Sequence, residues 1–288
     1  METILITGSN GLIGNALVKL LNSNNNYRVI GVGRTVASDV EVVKADLSGD
    51  WHESQLPAKV DVLIHLAQSE LFRDFPNSAE KIFNVNTYST LKLLEYGRKC
   101  GVKKFIYASS GGVYGNSDIG FNEESPIQPS KDLGFYLTTK LNSELLVGNY
   151  QDFFEVNVLR FFFVYGERQK RTMLIPRLMD SVKQGHNVIL TSNEGIKINP
   201  IYVEDAANAV LEVIKYNGSF NLNIGGSEII SIRKICEVIG DEYGKKPLFI
   251  ENPSETKNLI GDISRLKKIY NPKISFNEGI KRMIEYGK

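Results

Sequence analysis

Short apolar runs alternate with longer stretches of helical spacing through the first half of the chain. The opening run TILIT is rich in β-branched residues, GSNGLIG follows at once, and NALVKLLNSN then places its apolar positions at helical intervals. YRVIGVGR, VEVV, VDVLIHLA, VKKFIYASS and FEVNVLRFFFVYG read as further strands, and STLKLLEYGRKCG as a helix closed by glycine. Strands separated by helical patterns predict an α/β fold in which a doubly wound parallel sheet is joined by right-handed crossovers. Beyond about residue 166 the pattern loosens. TMLIPRLMDSVKQG, VEDAANAVLEVIKYNG, SIRKICEVIGDEYG and FNEGIKRMIEYG read as helices, and NVILTS, INPIYV and SFNLNIG as short strands. The expected division is residues 1–166 for the main sheet and 167–288 for a small C-terminal lobe, with some elements returning to the sheet.

Composition changes this picture little. The chain has 288 residues, of which 42% are apolar and 23% charged, with a formal net charge of +1. That balance gives no reason to expect nucleic acid or a membrane as partner. Cys100 and Cys236 are the only cysteines, which suits a reducing compartment and provides no metal cluster. No apolar run approaches the ~18 residues of a spanning helix, and the start, METILITGSNG, lacks a basic segment leading into a long apolar one. The expectation is a cytoplasmic protein.

The first chemistry lies in TGSNGLIG. Gly8 takes the tight turn, Gly11 admits a pyrophosphate to the backbone, and Gly14 lets the helix pack on the strand, while the helix N-terminus offers free N–H groups to the anion. Position between a first strand and a first helix makes this a dinucleotide site on a Rossmann-type sheet, with Asn10, Leu12 and Ile13 supplying the rest of the turn. A glycine turn with a purely structural role is the alternative. At the end of the second strand stand Gly33 and Arg34, and the nearest acid, Asp39, comes several residues later. An acid there accepts ribose hydroxyls in NAD sites, whereas arginine pairs with a 2′-phosphate, so NADP is favoured over NAD. Asp46 and Leu47, after the third strand, are placed near the adenine, though a turn aspartate reads equally well.

Tyr136 and Lys140, in YLTTK, stand four positions apart and share one face of a helix. Alone, that spacing fits an ordinary surface pair. With the other motifs in order, namely TGSNGLIG, HLA with Leu66 and Ala67, VNTYSTLKLLE with Asn86, ASSGGVYG, YLTTK, LRFFFVYG and INPIYVEDAANAV, the chain resembles the extended short-chain dehydrogenase/reductases of the NAD-dependent epimerase/dehydratase family nearly end to end. The resemblance implies action on a nucleotide-activated sugar. It also matches Ser110, Tyr136 and Lys140 to the family's catalytic positions, with Lys140 additionally holding the nicotinamide ribose. The chemistry agrees. Hydride transfer needs a proton moved on the neighbouring oxygen, and a lysine ammonium favours the phenolate of a tyrosine whose ordinary pKa is near 10. A turn cap is the other reading of Ser110, and a backbone-ordering group that of Asn86.

Relatives that dehydrate sugars carry an Asp-Glu pair after the Ser/Thr. Gly111 and Gly112 stand there in this chain, so 4,6-dehydration is not expected. C4 epimerisation through a transient keto-sugar is placed first. An NADPH-dependent 4-keto-sugar reductase and a cofactor-binding protein without turnover remain as alternatives. Where many relatives have a substrate-binding asparagine this chain has Phe163, which offers no hydrogen bond but can meet the substrate by stacking or by filling space. Arg168, Lys170 and Arg171 form a basic insertion suited either to a substrate diphosphate or to solvent. The usual pyrophosphate arginine before YVED has no clear counterpart, with Lys197 and Asn199 nearby. The resemblance further implies a homodimer built on the STLKLLEYGRKC and YLTTKLNSELLVGNY helices.

Overall fold

The computed structural model describes residues 1–35, 40–252, 254 and 257–287. Strands run in chain order β1 (Glu2–Thr7), β2 (Tyr27–Gly33), β3 (Glu41–Lys44), β4 (Val62–His65), β5 (Lys104–Ser110), β6 (Glu155–Phe161), β7 (Val164–Tyr165), β8 (Asn187–Thr191), β9 (Lys197–Ile198), β10 (Ile201–Tyr202), β11 (Phe220–Ile224), β12 (Ile230–Ser231) and β13 (Leu248–Asn252). The helices are α1 (Leu12–Asn22), α2 (Ala79–Phe83), α3 (Ser89–Cys100), α4 (Ser130–Gly148), α5 (Leu174–Gln184), α6 (Val203–Lys215), α7 (Ile232–Tyr243) and α8 (Phe276–Tyr286).

Seven strands form one sheet in the order β11-β6-β5-β4-β1-β2-β3, and β1 through β6 pair in parallel. The order reverses between β1 and β4, the switch point at which open α/β sheets bind ligands. All four residues of β4 are buried, as befits a central strand covered on both faces. α1 turns Leu17, Val18 and Leu21 into the core. α3 ends on Gly101 at φ +73°, with Arg98 and Lys99 in its last turn against the negative end of the helix dipole. Lys104, nearly buried at the start of β5, caps another helix: its Nζ donates to the carbonyls of Val213 and Ile214 at the end of α6. β11, grouped by its sequence position with the C-terminal pieces, thus enters the main sheet beside β6.

The chain separates into two compact units. One comprises Met1–Gly115, Pro126–Phe161 and Ala207–Leu222, and holds most of the large sheet. The other comprises Asn116–Ser125, Phe162–Ala206 and Asn223–Lys288. It contains three small strand pairs, β10-β7, β12-β9 and β13-β8. Two buried polar residues bind its segments together. Asn199 donates to the carbonyls of Gly226 and Gly261 and accepts from Gly261 N, while Asp205 accepts from Tyr270 Oη and from the backbone of Lys273 and Ile274. Asn199 therefore clamps backbone of its own unit.

Candidate active site

The glycine turn leaves no room for side chains. Gly8 sits at φ +71°, and a Cβ on it would lie 2.8 Å from Ala67 N, so the HLA segment packs directly on the turn. A Cβ on Gly14 would fall 2.2 Å from Gly8 O, and one on Gly31 2.5 Å from Ser9 Oγ. Gly11 caps α1 with no side-chain hydrogen bond, and the first turn of the helix holds no acid. Its leading N–H groups consequently remain available to an anion. This cradle fits a dinucleotide pyrophosphate. Asn10 donates its amide to Thr35 O and Oγ1, tying the turn to the segment after β2.

The surrounding residues are more committed than their types suggest. Arg34 is ion-paired with Glu70 at 2.9 Å. Asp46 accepts from the backbone and then the hydroxyl of Ser48, and these bonds hold its carboxyl below the usual range, with Arg34 and Lys81 adding to the effect. Leu47 is buried in the core and its carbonyl accepts from Ser89 Oγ. Gly33 ends β2 in partial exposure. Leu66 N donates to Thr7 O, fixing the exit of β4. Asp39 lies outside the described residues.

Asn86 is a hub. It sits in a π-helical turn, Asn84–Tyr88, just before α3. Its Oδ1 accepts from Ser69 N, its Nδ2 donates to Thr139 Oγ1, and its carbonyl accepts from Thr90 and Ser143. One residue thus joins the loop after β4, α3 and α4, the arrangement that the backbone-ordering alternative describes.

α4 breaks at Gly134, where φ is +73° and ψ 163°, and Tyr136 opens the helix that continues beyond. Its hydroxyl donates to Gln68 Oε1 at 2.8 Å. Lys140, one turn on and 2% exposed, donates Nζ to Ala108 O at 2.7 Å and stands 5.0 Å over the Tyr107 ring. Burial pushes its ammonium down to about 7, against the pull of Glu144. Burial likewise pushes the Tyr136 phenol up. The lowered tyrosine pKa anticipated from Lys140 is not found: desolvation disfavours both charges at once. Ser110 ends β5 half-exposed, its Oγ accepting from Gly112 N at 3.1 Å as cap of the short helical turn Gly111–Tyr114. Its hydroxyl proton remains free to donate. Ser109 Oγ is buried with no partner among the described residues.

A model of the NAD dependent epimerase/dehydratase family matches residues 4–225. The chain belongs to this family. It is 29% identical to UDP-glucuronate 4-epimerase of Thermodesulfobacterium geofontis over 80% of this chain and 73% of that protein. It is also 26% identical to human dTDP-D-glucose 4,6-dehydratase over 99% of this chain and 89% of that one. Among solved structures, UDP-glucuronic acid 4-epimerase from Bacillus cereus, in complex with UDP-glucuronic acid and NAD, superposes with a TM-score of 0.88 at 25% identity, covering 99% of this chain and 98% of that one.

Because family membership spans epimerases and dehydratases, the residues after Ser110 matter. Gly111 is buried, and a Cβ on Gly112 would meet Leu137 at 2.9 Å and Ser110 Oγ at 3.3 Å. Beyond lacking an acid and a base, the chain has packed Leu137 into the space such a side chain would need. Arg160, the strand-end arginine of LRFFFVYG, is buried and pairs with Glu144 at 2.7 Å while donating to Tyr114 Oη.

Three substrate-side candidates belong to the other unit. Phe163 adopts φ +47°, a backbone region that asparagine enters readily and a bulky residue does not. Arg168 is exposed at φ +65°. Arg171 directs its guanidinium at Asp180 and Pro176 O, so the fork anticipated for a diphosphate is occupied by its own unit. Sequence patterning gave no sign of a cavity of about 380 Å³ in this unit, lined in part by Leu174, Arg177, Leu178, Val188, Leu190 and Ile232. Nor did it single out Gln68 or Glu70. No described helix is long and apolar enough to cross a membrane.

Proposed function

We propose that the protein interconverts the C4 epimers of a nucleotide-activated sugar, with Tyr136 as the group that moves the proton at the sugar oxygen. One observation carries the reading: Tyr136 and Lys140 stand one helical turn apart beside a glycine cradle, while Gly111 and Gly112 leave no acid-base pair for eliminating water. Bound nicotinamide dinucleotide supplies the hydride acceptor and donor. Tyr136 takes the hydroxyl proton as the C4–H bond breaks and returns it when hydride reaches the opposite face. Lys140, with donors left beyond Ala108 O, stabilises the phenolate form that Tyr136 must hold before it takes the proton. Ser110 donates its free hydroxyl proton to the same oxygen. The 4-epimerases similar to this chain support the substrate class.

NAD replaces NADP as the preferred cofactor in this reading. Glu70 already neutralises the arginine on which the NADP preference rested, and the B. cereus relative is described with NAD. The reductase alternative then has less to support it, because a reductase must exchange oxidised for reduced cofactor at each turnover, whereas an epimerase regenerates its own. We also place a homodimer on α3 and α4, on which Leu91 and Leu145 are exposed, as is Tyr88 just before α3; sedimentation as a monomer at micromolar concentration refutes it.

The deciding experiment incubates the protein with UDP-, GDP-, dTDP- and CDP-sugars and with 4-keto-sugars, with NAD(H) or NADPH. Product without net cofactor oxidation is the expected result. One equivalent oxidised per product identifies a reductase, and stoichiometric cofactor binding without product identifies a binding protein. Tyr136→Phe lowers turnover by about 10²–10⁴-fold with dinucleotide binding retained; wild-type turnover in that variant overturns the mechanism.

A further inference from the structure

The hydrogen-bond partner of the Tyr136 hydroxyl is an uncharged amide. Gln68 follows β4 immediately after the HLA segment, and its Oε1 accepts from Tyr136 Oη at 2.8 Å. The loop bearing it is held on several sides. Ser69 N donates to Asn86 Oδ1 at 2.9 Å, Leu71 N donates to Ser69 Oγ at 3.2 Å, and the Phe72 ring lies 5.2 Å from that of Tyr136. Both the amide and the phenol are therefore presented from anchored backbone.

We propose that Gln68 is a positioning residue for Tyr136, its amide oxygen fixing the phenolic hydroxyl and holding it protonated until a substrate oxygen takes its place. The inference rests on the reading of Tyr136 as the proton-moving group. An amide oxygen accepts a hydrogen bond but does not take the proton at neutral pH, so it stabilises phenol over phenolate. Tyr107 on β5 interacts electrostatically with Tyr136, while Lys140 and then Glu144 follow it at one-turn intervals along α4. Among these only Lys140 favours the phenolate. Gln68 opposes it without bringing a charge into the site; a sugar hydroxyl that displaces the amide removes that opposition, and the phenolic proton passes to solvent water, leaving the phenolate as the base. The amide acceptor thereby couples activation of Tyr136 to substrate arrival.

Gln68 is exposed, so substitutions there leave the core intact. The test uses Gln68→Ala, which removes the acceptor, and Gln68→Glu, which strengthens it. In protein labelled with 13C at tyrosine Cζ, the Tyr136 resonance is identified as the one missing from Tyr136→Phe. It is expected to shift in both variants, in opposite directions, without any ligand present. In the pH profile of kcat/KM, which reports the free enzyme, the inflection belonging to the base moves down by about half to one unit in Gln68→Ala and up by a similar amount in Gln68→Glu, the size expected of one hydrogen bond. A Tyr136 resonance unmoved in both variants overturns the proposal, as does a stationary or oppositely displaced profile. Failure of the underlying reading is separate: it appears as wild-type turnover in Tyr136→Phe, while the ligand-free resonance still decides the Gln68 contact.

Discussion

His65 makes the protein acid-sensitive in a way that one substitution isolates. The ring is fully buried at the end of β4, with Nδ1 2.6 Å from Thr7 Oγ1 and Nε2 3.0 Å from Thr90 Oγ1. Thr90 gives its hydroxyl proton to Asn86 O at 2.7 Å, so it accepts from Nε2–H, and Nδ1 is left to accept from Thr7. Protonating Nδ1 removes the acceptor on which Thr7, the residue before Gly8, depends. Burial first, and the Lys140 charge second, push the imidazole from its ordinary 6.5 down to about 3. Between those values the unfolded chain binds the proton and the folded chain refuses it, so stability falls as pH falls. At pH 4.5 the loss from this ring is about 2.7 kcal/mol, two pH units at 1.36 kcal/mol each. Carboxylates lose stability at lower pH as well, Glu95 among them, held at about 2 by hydrogen bonds from Arg98 and Tyr150. His65→Gln keeps a donor and an acceptor and removes the titration, leaving the carboxylate contribution in place. Urea unfolding of both proteins at pH 7 and pH 4.5 is expected to show the wild type losing about 2.7 kcal/mol more than the variant. Equal losses refute the assignment of His65 as a buried neutral ring.

Lys140→Met tests the cost of keeping an ammonium in the core. Its pKa of about 7 against an ordinary 10.5 means a full penalty below pH 7 that fades as pH rises towards 10.5. After allowing for the orphaned Ala108 carbonyl, the Met variant is expected to be about 2 kcal/mol more stable than wild type at pH 6 by denaturant titration, inactive, and progressively less advantaged at higher pH; a less stable variant at pH 6 contradicts the burial argument. Gly14→Ala drives a Cβ to 2.2 Å from Gly8 O and is expected to abolish dinucleotide binding in a fluorescence titration; undiminished binding rejects the cradle. Phe163→Asn relieves a left-handed backbone at φ +47° worth roughly 1–2 kcal/mol. It should therefore cost less by thermal melting than Phe161→Asn, made at a half-buried residue in extended β6, and an equal or greater cost denies the strain.

What the sequence discloses follows from how local each requirement is. The glycine turn is legible because Gly8 and Gly14 must do without a Cβ and Gly11 between them has little space for one. The Tyr136–Lys140 pair is legible because helical spacing alone brings them together. β11 is not: its pairing with β6 joins segments far apart in the chain, and neither run encodes its neighbour. Lys140 reads as a surface cation by type, and only packing reveals that it is enclosed and that its ammonium is made a stronger acid.

Arg34 illustrates the same limit at the level of function. Its place after β2 is visible in the sequence and, taken alone, argues for a 2′-phosphate. Glu70 stands 36 residues later in a different loop, and its carboxylate reaches the guanidinium at 2.9 Å. Both side chains are more than half exposed, so the pair adds little to stability. Its effect on a ligand differs in kind. A second negative charge beside the arginine repels a phosphate dianion and leaves ribose hydroxyls unaffected, so an exposed ion pair of negligible structural value can still bias the choice between two dinucleotides. A residue's charge shows what it is able to bind, and the carboxylate that reaches it first determines how much of that capacity remains.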